Sequence, residues 1–300
     1  MRLQSSLHGE ERALVLSDIP RVFWGFAAFL GGYAVLLVLE ESLRMQNGLS
    51  PIAVSAGLAV GVLVRLRGAT QAVFAATQFV VGAAVGVIAG GSMVASTGAS
   101  AIATGCCIVV ALTFTGVGRR LPRWSGFAVL VVSAAAVGAI GATFVVVLAA
   151  FAMPGTSADV WQTWWVAFST GVVFAAPAAL MFRRSRVAMT GRRFLELAAV
   201  SAATIAVLMS VLGAAGDGSA QQWGTQYLLI PLILWFAVRF GMAITAAVTS
   251  LVDVVAVVAA HNGFGSLSNY GMDVGALLSM QLALALVGLA MYAVALNEEQ

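Results

Sequence analysis

Asp253 is the residue whose chemistry most needs an explanation, because it lies within the apolar run from Met242 to Ala260. A carboxylate in the middle of a membrane-spanning helix costs roughly 2.5–3.5 kcal/mol or more unless it has a partner. One interpretation is a neutral acid, or one bonded to the Thr249 hydroxyl a turn earlier. The other is a polar anchor for a ligand, a proton or a cation. Gln78 and Gln281, the other amides within apolar runs, are candidate partners for Asp253.

Aromatic residues form a second group of candidate ligand-binding residues. They gather where two apolar runs would reach the outer face of a membrane, and they are Trp161, Trp164 and Trp165 in one run and Trp223 and Tyr227 in the other. Tryptophan and tyrosine are enriched at both interfaces of a bilayer, so an interfacial belt is one interpretation. The alternative is that some of them line an outward-facing ligand pocket.

Sequence motifs of enzymes are missing from the chain. It has no His-Glu-x-x-His, no phosphate-binding glycine loop and no Gly-x-Ser-x-Gly. We therefore predict no catalytic residues, no metal site, no cofactor and no enzymatic activity. His261 lies at a predicted helix end, where a cation favours the helix dipole. We interpret it as a cap, with a sensor or ligand role as the alternative.

The composition indicates what must position these residues. Hydrophobic residues make up 61% of the 300 residues and charged residues 9%, against about 25% charged in a typical soluble domain. Such a chain can supply about ten spans of roughly 20 residues. We predict an all-α integral membrane bundle, with a cytoplasmic tail at 1–21 and one multi-span domain at 22–300. The net charge of +3 does not suggest binding to nucleic acid.

Ten apolar runs follow one another along the chain. They are Val22–Leu39, Pro51–Val64, Thr70–Gly90, Ala99–Val117, Ser125–Ala152, Trp161–Phe182, Phe194–Ala214, Tyr227–Val238, Met242–Ala260 and Val274–Ala295. The second and the eighth are shorter than a full span, so either is a candidate for a re-entrant segment.

Arginine placement indicates whether the two short runs cross the membrane or are re-entrant. Cytoplasmic loops of membrane proteins carry an excess of Lys and Arg. All 15 basic residues of the chain are arginines. If all ten runs cross the membrane, Arg44 alone lies on the side opposite both termini. We therefore predict ten crossings with both termini in the cytoplasm. Eight crossings are the alternative, if one short pair forms half-helices.

Glycines at four-residue spacing predict where helices approach closely. Gly57 and Gly61 form one such pair, and Gly82, Gly86 and Gly90 extend the pattern along the third run. Small residues at this spacing let helix backbones come together in lipid. We favour packing within the chain over a homodimer face.

The second and eighth runs also resemble each other weakly. SPIAVSAGLAVGVLVRLRGA opens on Pro51 and closes on Arg65, and IPLILWFAVRFGMA opens on Pro231 and closes on Arg239, with Gly241 as part of a tight turn. In membrane proteins built from repeats, paired short segments point to a binding site.

Several apolar motifs together carry a family resemblance. YLLIPLILWFAVRFG, HNGFGSL and LLSMQLALALVGLAMYAVALNEE follow one another from Tyr227 onward. SPIAVSAGLAVGVLVRLRG and WWVAFSTGVVFAAPAALMFRR, which contains Gly171 and Pro177, precede them. Over roughly Leu49 to Glu299 the chain thereby resembles the first type of bacterial membrane-associated sensor domain, the MASE-one family.

The resemblance implies a multi-pass sensor of the bacterial plasma membrane. In that family the C-terminal helix leads into a histidine kinase or into a GGDEF or EAL domain of cyclic di-GMP signalling. No such domain follows Gln300, so we expect either an isolated input module or an output that belongs to a separate chain or a longer protein. The family often has an acidic residue before the glycine where this chain has Thr170, and Asp253 has no counterpart in it, so ligand chemistry is not carried over.

Two classes of function therefore compete. The first is a sensory input domain that binds a small ligand or a membrane partner and moves its last helix. Its expected partners are the lipid bilayer, a cytoplasmic output domain or partner membrane protein, and a second copy of the chain in a homodimer. The second class is a transporter or channel, which Asp253 and the paired short runs support. The cytoplasmic C-terminus and the family resemblance favour the first.

Overall fold

All regular structure within the residues described by the computed structural model is α-helical, which confirms the predicted class. The described residues are 27–44, 49–117, 124–152, 159–181, 191–213, 229–262, 281, 285–290, 292–295 and 297. The helices are α1 (27–42), α2 (Val54–Arg65), α3 (Ala69–Ile88), α4 (Met93–Val117), α5 (Trp124–Ala152), α6 (Asp159–Met181), α7 (Gly191–Gly213), α8 (Leu229–His261) and α9 (Ala285–Ala295).

Within the described residues, five helices are long and apolar enough to cross a membrane. They are α3, α4, α5, α6 and α8. The third to sixth predicted runs each correspond to one of these helices, and the eighth and ninth runs together form α8. Ten crossings with cytoplasmic termini therefore stay a prediction.

The short helix α2 lies in the interior of the bundle. It has 12 residues and begins at Val54, three residues after Pro51, and most of its residues are buried. A helix that is apolar on all sides is typical of a buried position. Arg65 ends α2 and donates a hydrogen bond from its guanidinium to the carbonyl of Leu180 at 2.7 Å, which ties the end of α2 to the end of α6.

Glycines let α2 and α6 touch through their backbones. A Cβ added at Gly57 would lie 2.0 Å from the carbonyl oxygen of Gly171, and a Cβ added at Gly61 would lie 2.4 Å from Cβ of Ala179. Gly171 and Pro177 are both buried within α6. The predicted packing of Gly57 and Gly61 within the chain is confirmed.

Glycines also allow a close approach between α3 and α4. A Cβ at Gly82 would lie 2.5 Å from the hydroxyl of Ser100, and one at Gly86 would lie 2.9 Å from Cβ of Ser96. Gly90 does not extend this pattern, because α3 ends at Ile88 and Gly90 adopts a φ of 91°. A positive φ is readily available only to glycine.

The predicted turn in the C-terminal third is a break at a single residue. Gly241 has φ 75° and ψ −178° inside α8, while Arg239 on one side and Thr245 on the other are helical. The chain is already helical at Leu229, so Pro231 does not open this helix. Arg239 pairs with Glu196 of α7 at 3.0 Å.

The C-terminal segment is packed into the interior rather than along its outside. Tyr292 is fully buried and donates a hydrogen bond to the carbonyl of Phe174 in α6 at 3.3 Å. Its ring meets Phe127 of α5 edge to face, with centroids 5.4 Å apart. A Cβ at Gly288 would lie 2.6 Å from the Phe174 ring and 3.3 Å from Thr249 of α8. Helix α9 therefore contacts α5, α6 and α8.

Candidate functional site

A polar cavity of about 190 Å³ lies where α1 and α3 end and where α2, α4 and α6 begin. Its polar lining residues are Tyr33, Glu40, Glu41, Arg44, Ser50, Ser55, Gln78, Ser96 and Ser100. Most of them are small or end-of-helix residues that gave no functional signal in the sequence. The cavity combines a carboxylate, a guanidinium and neutral oxygens at one end of an otherwise apolar bundle.

Glu40 supplies the buried carboxyl group of the cavity. It is only 6% exposed. One carboxylate oxygen accepts a hydrogen bond from the backbone N–H of Ser55 at 2.7 Å, and the other accepts one from the Ser55 hydroxyl at 2.6 Å. Ser55 lies in the first turn of α2, where backbone N–H groups lack helical partners and where negative charge is favoured. The end of α1 is thereby fastened to the start of α2.

Two further side chains of the cavity are buried and incompletely bonded. Gln78 is 1% exposed and Ser96 is 6% exposed. Within the described part of the chain, Oε1 of Gln78 and Oγ of Ser96 have no hydrogen-bond partner. Leaving such a group unpaired costs about 1–3 kcal/mol, so buried polar groups almost always have a partner. Ser100 differs, because its hydroxyl donates to the carbonyl of Phe79 at 2.8 Å.

The outer part of the cavity carries an ion pair. Arg44 pairs through Nε with Glu41, and both side chains are partly exposed. A Cβ added at Gly91 would lie 3.4 Å from Nη1 of Arg44 and 2.6 Å from Oγ of Ser96. Arg44 and Ser96 therefore face the same turn between α3 and α4. Arg44 lies two residues beyond the end of α1, where its backbone N–H donates to the carbonyl of Glu41 at 3.3 Å.

One of the three predicted tryptophans faces the cavity. Trp164 lines it and stacks on Phe168 with ring centroids 5.1 Å apart. Trp161 and Trp165 face α5 instead, where their indole N–H groups donate to the Thr143 hydroxyl at 3.3 Å and the Ala135 carbonyl at 2.9 Å.

The predicted pocket between the sixth and eighth runs is only partly covered by the structure. Trp223 and Tyr227 lie outside the described residues. The pocket that the structure describes is lined by Trp164 together with residues of α1, α2, α3 and α4.

The prediction that Thr249, Gln78 or Gln281 bonds to Asp253 is wrong within the described residues. Asp253 is 1% exposed and neither of its carboxyl oxygens has a hydrogen-bond partner there. The Thr249 hydroxyl donates to the carbonyl of Thr245 at 2.8 Å, because a helical threonine can always reach that carbonyl one turn back. Gln78 lines the cavity, and Gln281 donates its amide to the carbonyl of Pro51.

His261 is the last residue of α8, as predicted, and its Nδ1 has no partner among the described groups. One turn earlier, Val257 packs with Leu43 and Ile52, so this end of α8 lies beside the end of α1 and the start of α2. Within the described ranges no three metal-ligating side chains come together. Whether His261 caps the helix or senses a ligand stays a prediction.

These features define a class: a helical integral membrane domain with a closely packed core and a polar cavity at one end. The MASE1 family model matches residues 24–300, and the chain belongs to this family of membrane-associated sensory domains. The family resemblance inferred from the apolar motifs is thus confirmed. No curated protein and no solved structure matches the chain.

Proposed function

We propose that the chain is a multi-pass sensory input domain of the bacterial plasma membrane that detects a small ligand in the cavity at Glu40. The observation that carries this proposal is the pair of buried oxygens, Gln78 Oε1 and Ser96 Oγ, that have no partner of their own and line one cavity. A ligand that bonds to them would recover the free energy that their burial costs.

The proposed topology has ten crossings and both termini in the cytoplasm, since Arg44 alone among the arginines then lies outside. In this topology the ends of α1 and α3 face the outer side, and so does the cavity. A solute outside the cell would reach Glu40 past the partly exposed pair of Arg44 and Glu41. We also propose that the domain has no catalytic activity of its own.

Direct contacts connect the cavity to the end of the chain. Pro51 lies beside the cavity residues Ser50 and Ile52, and its carbonyl accepts the amide of Gln281. Phe168 lines the cavity on α6, and farther along the same helix the carbonyl of Phe174 accepts the Tyr292 hydroxyl. A ligand that displaces α2 or α6 would therefore act on the C-terminal segment through two contacts.

The output would be a cytoplasmic partner, either a histidine kinase or an enzyme of cyclic di-GMP signalling. A ligand shifts the equilibrium between two conformations only by its difference in affinity for them. A difference of about 1.4 kcal/mol gives a tenfold change in the ratio of the two states. A homodimer of the domain, or a complex with another membrane protein, would be compatible with such a shift.

The test fuses a diguanylate cyclase after Gln300 and lengthens the junction by one residue at a time. Helical coupling predicts cyclase activity that varies with a period near 3.6 residues. In the best fusion, Ala103→Phe fills the cavity from α4, and we expect it to change cyclase activity. Ala101→Phe, on the exposed side of the same helix, is the matched control. If cyclase activity changes neither with the junction length nor with Ala103→Phe, the proposal is contradicted.

The second candidate function is a transporter or channel, and the buried, unpartnered Asp253 favours it. Intramembrane carboxyl groups often mark the paths of protons or ions. Purified protein in liposomes would then carry protons or cations at a rate that Asp253→Asn abolishes. Flux in liposomes without any response of the cyclase fusion would favour this function over the sensory one.

A further inference from the structure

We infer that the cavity binds a small zwitterion, a free α-amino acid, with its ammonium group at Glu40 and Gln78 and its carboxylate at Arg44 and Ser96. This inference rests on the proposed sensory function and names the ligand class of the same cavity. It follows from the order in which charges and unpaired oxygens occur from the buried end of the cavity to its more exposed end.

The buried end offers hydrogen-bond acceptors. Each oxygen of the Glu40 carboxylate accepts one hydrogen bond from Ser55, and an ionised carboxylate has about four acceptor positions. Burial raises the pKa of Glu40 to about 8, while the N–H and O–H donors of Ser55 act in the opposite direction, and an ammonium group beside Glu40 would favour its ionised form. Gln78 adds an unpaired Oε1. An ammonium group brings three N–H donors and one positive charge, which matches this anionic, acceptor-rich end.

The same end disfavours other ligands. A simple anion would meet the Glu40 carboxylate at close range. A divalent metal ion binds several oxygen ligands and carries two positive charges. This end of the cavity has a single buried carboxyl group, which is too few ligands and too little negative charge. A quaternary ammonium has no N–H to give to Gln78 or Glu40 and is usually bound by an aromatic cage.

The more exposed end offers donors. Arg44 uses Nε for Glu41, and its Nη1 lies over the turn at Gly91. The remaining N–H groups of a guanidinium match a carboxylate in a two-point contact. The Ser96 hydroxyl, close to the same turn and without a partner, adds another donor. Glu40 in the last turn of α1 and Arg44, two residues beyond the end of this helix, line the same cavity, so a zwitterion can contact both opposite charges.

The cavity also has room for a side chain. An engineered apolar cavity of about 150 Å³ holds benzene, so about 190 Å³ is sufficient for an amino acid of moderate size. Trp164 and Phe168 form a stacked aromatic wall on one side. The wall would contact the aliphatic part of the ligand, while both charged ends are held by α1, α3 and α4.

The test is calorimetric titration of the purified chain with glycine and with each proteinogenic L-amino acid, one at a time. Methylammonium and acetate are the probes for the two halves of the ligand. We expect at least one amino acid to bind, and each half to bind at least tenfold more weakly. The inference is overturned if no amino acid binds, or if methylammonium binds as tightly as the best amino acid.

Two variants separate the two ends of the ligand. Arg44→Gln should weaken amino-acid binding roughly tenfold to hundredfold, the range for lost charged hydrogen bonds, and leave methylammonium binding unchanged. Glu40→Gln should weaken binding of both probes. Since Glu40→Gln removes a contact between α1 and α2 and can impair folding, Ser96→Ala provides a milder variant, expected to weaken only the amino acid.

Arg67→Gln, an exposed arginine outside the cavity, is the matched control and should keep wild-type affinity. Wild-type affinity in both Arg44→Gln and Ser96→Ala would overturn the inference, because the amino acid would then bind elsewhere. A failure of this inference can be distinguished from a failure of the sensory proposal. If Ala103→Phe alters the cyclase fusion while no amino acid binds, only the ligand class is wrong. If amino acids bind and the fusion does not respond to them, only the sensory function is wrong.

Discussion

Replacing Gly171 by alanine should destabilise the protein, because this glycine marks the closest approach of α6 to α2. A Cβ at Gly171 would lie 2.1 Å from the carbonyl oxygen of Ala53, 2.5 Å from its carbonyl carbon and 3.1 Å from the nitrogen of Val54. Non-bonded heavy atoms are at their optimum near 3.5–4.0 Å. All three neighbouring atoms belong to the backbone, so no side chain can rotate away and α2 itself must move.

The expected magnitude follows from two opposing terms. Overpacking a well-packed core typically costs about 1–3 kcal/mol, and a clash with backbone atoms belongs at the upper end of that range. Alanine gains back about 0.5–1 kcal/mol relative to glycine inside a helix. We therefore expect Gly171→Ala to lower the free energy of unfolding by about 2 kcal/mol. Because the unfolding entropy scales with chain length, for 300 residues this corresponds to a fall in Tm of roughly 3 °C.

The assay is thermal unfolding of the detergent-solubilised protein, followed by loss of the monodisperse peak in size-exclusion chromatography. Gly105→Ala is the matched control, because a Cβ added at Gly105 in α4 meets nothing within 4 Å. It should melt at or slightly above the wild-type temperature, since only the helix-propensity term acts. If Gly171→Ala melts together with Gly105→Ala, the backbone contact between α2 and α6 is wrong.

Combining Gly171→Ala with Gly57→Ala should cost less than the sum of the two single changes. A Cβ at Gly57 would lie 2.0 Å from the carbonyl oxygen of Gly171, so both changes strain the same contact. Once α2 has moved for one of them, the second meets less resistance. Strict additivity would indicate that the two glycines relieve separate contacts.

Three further predictions concern other parts of the chain. Gly241→Ala should cost about 1–3 kcal/mol of unfolding free energy, because φ 75° and ψ −178° are essentially restricted to glycine, and a wild-type Tm would contradict the break in α8. Asp253→Asn should change the unfolding free energy by less than about 1 kcal/mol, the worth of one net hydrogen bond, because no described residue bonds to the carboxylate; a large loss of Tm would reveal a charged partner. In whole cells, a membrane-impermeant thiol reagent should label Ser157→Cys and not Thr190→Cys, and labelling of both would overturn the ten-span topology.

Periodicity and composition were sufficient for the fold class. Apolar runs of about 20 residues, with few charges, can be satisfied only as membrane-buried helices whose backbone bonds are internal. The glycine spacing at Gly57 and Gly61 likewise predicted close packing, because a helix face without side chains is a local property of the sequence. The family followed from motifs such as WWVAFSTGVVFAAPAALMFRR, and the match over residues 24–300 confirmed it.

Only single residues of the candidate site could be predicted from the sequence, and not their meeting in one cavity. Gln78 and Trp164 were identified because an amide or a tryptophan in an apolar run is conspicuous, but they were assigned to different sites. Glu40 directly follows the first apolar run, Val22–Leu39. Nothing local indicates that its carboxylate would be held by Ser55, 15 residues later in the chain.

The sequence by itself determined the class of protein, the apolar character of its helices and most of the places where helices approach closely, since each of these depends on residues within one or two turns. The tertiary structure alone decided which polar groups meet. Pro51 and Gln281 are 230 residues apart and yet bonded, whereas Asp253 and Thr249, one turn apart, are not. Hydrogen-bond partners in an apolar bundle are selected by helix packing, because a short polar side chain reaches only what the neighbouring helix brings within about 3 Å.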